Sequence, residues 1–142
     1  MFNSILCAVD FSETSEQALR YARDLAAVTK GHLTVVHVVD QLLHTAAHTS
    51  GSGEAYMKQT QEELDKLLRR IAPERPFGIT VEVGDAAEQI LKQVDECRAD
   101  LIVMGTHGRE GAQRLVFGST AEAVLRRSAV PVLAVPAPPG AE

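Results

Sequence analysis

The sequence predicts an α/β domain: a doubly wound, five-stranded parallel sheet in three layers, with helices on both faces. Two patterns predict it. Short runs of aliphatic and β-branched residues recur five times, and segments with a helical apolar period separate them. Several of the runs are apolar at every position, which suits strands covered on both faces. A chain of 142 residues is enough for one such domain, read here as residues 1–136 with a loose tail over 137–142.

The elements follow in order. Ile5-Leu6-Cys7-Ala8-Val9 reads as a buried first strand. Ser12 is placed to cap a helix whose inner face is Ala18, Ala22, Leu25 and Ala26, and Gly31 stops it. Leu33 to Val39 is rich in β-branched residues and reads as the second strand. Asp40 to Gly53 shows no clear period among its Ser, Thr, Gly and two His, and is expected to be a mobile loop. Met57, Leu64, Leu67, Leu68 and Ile71 then form an apolar stripe on a charged helix that Pro73 and Pro76 end. Ile79, Val81 and Val83 alternate with Thr80 and Glu82, as in a strand near a sheet edge.

Asp85 is placed to cap the next helix, with Ala87, Ile90, Leu91 and Val94 facing inward. Leu101-Ile102-Val103-Met104 is a wholly apolar fourth strand. A glycine-rich stretch runs from Gly105 to Phe117, and a helix opens near Gly118-Ser119 with Ala121, Val124 and Leu125 inward. Val130 to Val135 is the fifth strand, and Pro136, Pro138, Pro139 and Gly140 make the tail. Ligands of such sheets bind beyond the carboxyl ends of strands, where strand order reverses. If the first and fourth strands are neighbours there, Asp10 and Gly105 line one crevice.

Composition narrows the function classes. A net charge of −5 argues against a nucleic-acid backbone binder, and 4% aromatics with no Trp against stacking on single strands. Neither opposes a small phosphorylated ligand, because backbone N–H groups hold phosphate without net positive charge. The two cysteines, Cys7 and Cys97, read as separate thiols in a reducing compartment. The start Met1-Phe2-Asn3-Ser4 lacks the basic, then apolar, pattern of a signal peptide, and no run reaches a membrane span, so the chain is read as cytoplasmic.

The chemistry concentrates in residues 105–120. Gly105 and Gly108 let the backbone turn sharply and approach a ligand. Gly118, Ser119 and Thr120 open a helix whose free N–H groups and dipole favour an anion, and Arg109 and Arg114 add charge nearby. Neither the P-loop pattern nor the dinucleotide GxGxxG pattern is present. On the residues alone, a flexible turn followed by a Gly-initiated helix explains the segment as well as a phosphate cradle does.

At this point the sequence resembles a known family. Gly105, Gly108, nine further residues and then Gly118-Ser119 meet the G-x2-G-x9-G-[ST] motif of ATP-binding universal stress proteins. The opening Ile5-Leu6-Cys7-Ala8-Val9-Asp10-Phe11-Ser12, the run Leu33 to Val38, Gly84-Asp85 and Pro131-Val132-Leu133-Ala134-Val135 also look like that family. The resemblance implies a strand order 3-2-1-4-5. It also implies an adenine and ribose site at Ala8, Val9 and Asp10, with Val38 on the base and Met104 and Gly105 beside the adenosine. Gly108, Gly118, Ser119 and Thr120 would lie by the phosphates, with His107 and Arg109 as further contacts. Mg²⁺ or Mn²⁺ would be held mainly by phosphate oxygens and water. A homodimer is expected through Val132, Leu133 and Val135 of the last strand.

Other constellations carry less. His44 and His48 stand four apart but read as a solvated pair in a loop. His32 and His37 fall on opposite faces of a strand. Asp10, Ser12 and Ser15 lack a His for a triad, and Asp85 and Glu88 are explained as helix caps and dipole partners. With no assignable general base or metal-holding pair, the expectation is a nucleotide-switched binding module rather than an enzyme. A slow ATPase, and a dimeric scaffold whose pocket is empty or holds AMP or cyclic AMP, are the alternatives.

Overall fold

The computed structural model describes residues 1–73, 77–107 and 117–137. Five parallel strands form one sheet in the order β3-β2-β1-β4-β5. The strands are β1 (Ser4–Ala8), β2 (His32–Asp40), β3 (Phe77–Gly84), β4 (Leu101–Gly105) and β5 (Val132–Val135). Five helices accompany them among the described residues: α1 (Glu13–Thr29), α2 (Gln41–Thr49), α3 (Gly53–Ile71), α4 (Ala86–Glu96) and α5 (Ser119–Arg127).

Successive strand residues point to opposite faces, so each strand feeds two cores. Ile5, Cys7, Val9, Val35 and Val103 meet Ala18, Ala22 and Ala26 of α1 and Leu64, Leu67, Leu68 and Ile71 of α3. Leu6, Val36, Ile102 and Met104 meet Ala87, Ile90 and Val94 of α4 and Ala121 and Val124 of α5. That is why β1 and β4 are apolar throughout. The small face of α1, alanine at 18, 22 and 26, lets the helix approach the sheet closely.

Local chemistry fixes the helix ends. Ser12 Oγ accepts from the Ser15 amide at 3.1 Å, and an Asp85 carboxylate oxygen accepts from the Glu88 amide at 3.0 Å. Both side chains therefore satisfy an orphan N–H of a first turn. Gly84 enters α4 with φ +146°, a region open to glycine and costly for other residues. At the end of α1, Lys30 takes the left-handed conformation and Gly31 N–H donates to the Ala26 carbonyl.

Two expectations are corrected. The segment 40–53 is not a loop throughout, because residues 41–49 form α2. Asp40 caps it, accepting from the Leu42 and Leu43 amides at 2.8 and 3.3 Å. No residue of α2 is buried, so there was no core face to leave an apolar period in the sequence. Leu125 does not point inward: it is exposed on the outer side of α5, and Ala121 and Val124 alone are buried there.

Candidate functional site

A cavity of about 440 Å³ opens at the carboxyl ends of β1 and β4. The β1–β4 ladder ends at Cys7–Val103, whereas β1–β2 pairing continues to Ala8–Val36. Beyond Cys7–Val103 no further pairs join β1 to β4, and Ala8 and Met104 line the opening. With Val36 and Val38 of β2 and Ala86 and Ile90 of α4 they give one apolar wall. This is the crevice expected where strand order reverses between β1 and β4.

The opposite wall is polar and built mostly from backbone. Thr106 follows β4, donating its amide to the Val135 carbonyl at 2.9 Å and accepting the Gly118 amide on its own carbonyl at 2.6 Å. These bonds bring the start of α5 back against the end of β4. Gly118 is the N-cap and has no side chain with which to cap. The amides of Ser119, Thr120 and Ala121 consequently find no partner among the described residues, and all three residues line the cavity.

His107 stands beside them. It is 5% exposed; its Nδ1 is 2.9 Å from Thr106 Oγ1, and its Nε2 is buried with no hydrogen-bond partner. A buried polar atom left unpaired costs about 1–3 kcal/mol. The residue lines the cavity through its other atoms, beside Ser119, Thr120 and Ala121, whose amides have no partner among the described residues. The amides that open α5 can receive a compact anion.

Asp10 forms the rim. Its Oδ1 accepts from the Ser12 amide at 3.0 Å and from the Ser12 hydroxyl, and its own amide donates to Ser15 Oγ at 3.1 Å. Among the described residues both bonds to the carboxylate fall on Oδ1, so Oδ2 keeps its acceptor capacity there. Behind it, His37 Nδ1 lies 2.8 Å from the Val9 carbonyl. A carbonyl only accepts, so Nδ1 carries the proton. The His37 ring also packs on Phe11, with centroids 4.5 Å apart.

Of the anticipated residues, Ala8, Val9, Asp10, Val38, Met104, Gly105, His107, Gly118, Ser119 and Thr120 line this one cavity. Gly108 and Arg109, like Arg114, lie outside the described residues. The sequence reading had not assigned Ser15, Val36, Ala86, Ile90, Thr106 and Ala121 to the site. Ile90 and Ala121 had been read as core, correctly, and they are also cavity wall. Thr106 had a signal in its place directly after the strand-ending glycine.

Gly105 lines the cavity and also meets a packing requirement. A Cβ there would stand 2.6 Å from Thr14 Cγ2 and 3.2 Å from the Thr14 carbonyl carbon. The missing side chain makes room for the first turn of α1 against β4.

The match to known proteins is extensive. Residues 1–136 match the model of the universal stress protein family. The chain belongs to that family. Universal stress protein MJ0531 of Methanocaldococcus jannaschii is 31% identical over 97% of this chain and 84% of its own length. Among solved structures, MJ0577 of the same organism superposes with a TM-score of 0.77 at 29% identity, over 95% of this chain and 96% of that one. A universal stress protein solved in complex with cAMP superposes with a TM-score of 0.66 at 25% identity, over 94% of this chain and 96% of that one. In this universal stress protein the cavity sits at the reversal of strand order. No helix among the described residues is long and apolar enough to cross a membrane.

Proposed function

We propose that this universal stress protein binds an adenine nucleotide, ATP foremost, at the carboxyl ends of β1 and β4, and that occupancy switches its state. The observation that carries the reading is the gathering of Ser119, Thr120 and Ala121, whose amides have no partner among the described residues, on one apolar-walled cavity. The donors suit phosphate. The wall of Ala8, Val38 and Met104 suits a base, and Asp10 Oδ2 suits a ribose hydroxyl. The volume falls within the roughly 300–1,000 Å³ of small-molecule sites. The unbroken glycine motif supports ATP over shorter adenylates, and the relative bound to cAMP supports the adenine class.

Mg²⁺ or Mn²⁺ would ride on the phosphates, since no group of three or more His, Cys, Asp or Glu side chains is gathered among the described residues. The module is read as binding rather than turning over its ligand. Asp10, the one carboxylate that lines the cavity among the described residues, is already engaged with Ser12 through Oδ1. The family resemblance and the outer edge of β5, which pairs with no further strand among the described residues, support a homodimer.

The test is mass spectrometry of small molecules released on denaturing the purified protein, joined to calorimetry with ATP, AMP and cyclic AMP. Gly118 sits at φ −67° and ψ 162°, a conformation open to any residue. Gly118→Val is therefore expected to fold and to bind ATP at least about tenfold more weakly, a loss of about 1.4 kcal/mol. Equal ATP affinity in the folded variant rejects the site.

A further inference from the structure

The correction of residues 41–49 from loop to helix changes the meaning of the two histidines on it. In a helix, residues four apart lie one turn above the other on the same face. His44 and His48 do so here, with ring centroids 4.2 Å apart. His48 Nδ1 lies 3.2 Å from the His44 carbonyl oxygen. The carbonyl can only accept, so Nδ1 carries the proton and the lone pair resides on Nε2. Such a bond from one ring nitrogen to a backbone carbonyl is the usual orienting contact of a metal-ligating histidine.

The ring of His48 is also held from below. A Cβ on Gly53, the first residue of α3, would stand 2.3 Å from His48 Nδ1 and 2.5 Å from Cε1. The glycine thus gives the imidazole its seat. Neither His44 ring nitrogen has a hydrogen-bond partner among the described residues. His48 is exposed and His44 half-buried, so solvent reaches the pair.

We propose that His44 and His48 form a two-histidine site for a borderline transition-metal cation of the Zn²⁺, Ni²⁺ or Cu²⁺ type. His48 would ligate through Nε2, and His44 through a ring nitrogen on the same face. Imidazole suits these metals, and affinity should rise toward Cu²⁺. With no third His, Cys, Asp or Glu gathered there among the described residues, water completes the coordination and the site is open and exchangeable. The cation would bridge one turn of a nine-residue helix that buries no side chain. Binding should therefore tighten α2 itself, independently of the nucleotide cavity.

The experiment uses the full chain and Zn²⁺ alone, titrated against a competing chromophoric chelator at neutral pH. The wild type is expected to bind one equivalent that His44→Ala, His48→Ala and the double variant each weaken at least about tenfold. His32, His37 and His107 remain in all of them and report background binding. Amide hydrogen exchange is the second readout: Zn²⁺ should slow exchange in residues 41–49 of the wild type and leave the double variant unchanged. Equal affinity in wild type and double variant, or Zn²⁺ binding with no protection of α2, overturns the proposal. ATP affinity should be the same in all variants, which separates this test from that of the cavity.

Discussion

At the scale of single residues, burial decides chemistry. Cys7 lies in the middle of β1, fully buried between β2 and β4, whereas Cys97 caps the end of α4 and is half-buried. Burial penalises the thiolate and pushes the Cys7 thiol far above its ordinary value of 9.0. An Ellman's titration is therefore expected to count one rapidly reacting thiol in the native protein and two after denaturation. A pH dependence follows with a definite sign. The unfolded thiol ionises above about pH 9 while the folded one stays protonated, so its contribution is complete below that pH. As pH rises further it is lost at about 1.4 kcal/mol per unit. Urea midpoints of the wild type should fall more steeply above pH 9 than those of Cys7→Ala. Matching slopes would show that Cys7 ionises freely in the native state. His107 shows the same principle from another side, since its burial leaves Nε2 without a partner among the described residues.

At the scale of elements, what was readable in the sequence depended on whether an element buried a face. β1, β2 and β4 are enclosed on both sides and announced themselves as apolar runs, and α1, α3 and α4 left clear stripes. α2 buries nothing and was missed; its only local signal was Asp40, a cap residue ahead of Leu42 and Leu43. Leu125 was misassigned because a leucine at helical spacing looks alike at the edge of a face and on it. The site divided similarly. The amides of 119–121, without a partner among the described residues, were legible from Gly118-Ser119-Thr120, because a helix opened by glycine has no capping side chain. The partners Ala8, Val38 and Met104 were not, since nothing in their spacing separates a cavity wall from a core, and the resemblance to a family supplied them. Gly105 was legible as a required glycine, but the neighbour requiring it, Thr14, is a tertiary fact.

The same contrast predicts how two caps differ. Asp85→Ala removes the side-chain acceptor of α4, which packs Ala87, Ile90 and Val94 into a core, and should cost about 1 kcal/mol in global urea unfolding. Asp40→Ala removes the corresponding acceptor from α2. A helix this short is marginal without packing. Its loss should speed amide exchange in residues 42–49 while moving the global midpoint little, because α2 contributes no buried side chain of its own to the core. Equal global costs for the two substitutions would mean that α2 contributes to the cooperative core.

At the scale of the whole molecule, the two edges of the sheet differ. β3 carries Glu82 and Thr80, while β5 is Val-Leu-Ala-Val with no charge. Charged side chains are a common protection of an edge, and an uncharged apolar edge calls for cover. Val135 points into the core beside α1 and offers a partner only its backbone; Val132 packs against the second core, and Leu133 is 37% exposed. A second copy of β5 laid antiparallel across a two-fold axis would pair the open ladder and cover both leucines. Prolines at 131 and 136 bracket the strand and limit that ladder to about four residues. So short a ladder falls below the roughly 1,200–2,000 Å² of stable interfaces unless side chains beyond it contribute. Association should accordingly depend on concentration in the micromolar range. Light scattering behind gel filtration is expected to give a mass rising toward twice the 15.3 kDa of the chain as loading increases. Leu133→Asp places two carboxylates near the axis and should hold the protein at the single-chain mass while leaving ATP affinity intact, since β5 residue 133 does not line the cavity. A wild type that stays at single-chain mass across that range leaves the β5 edge without a partner strand and refutes the dimer.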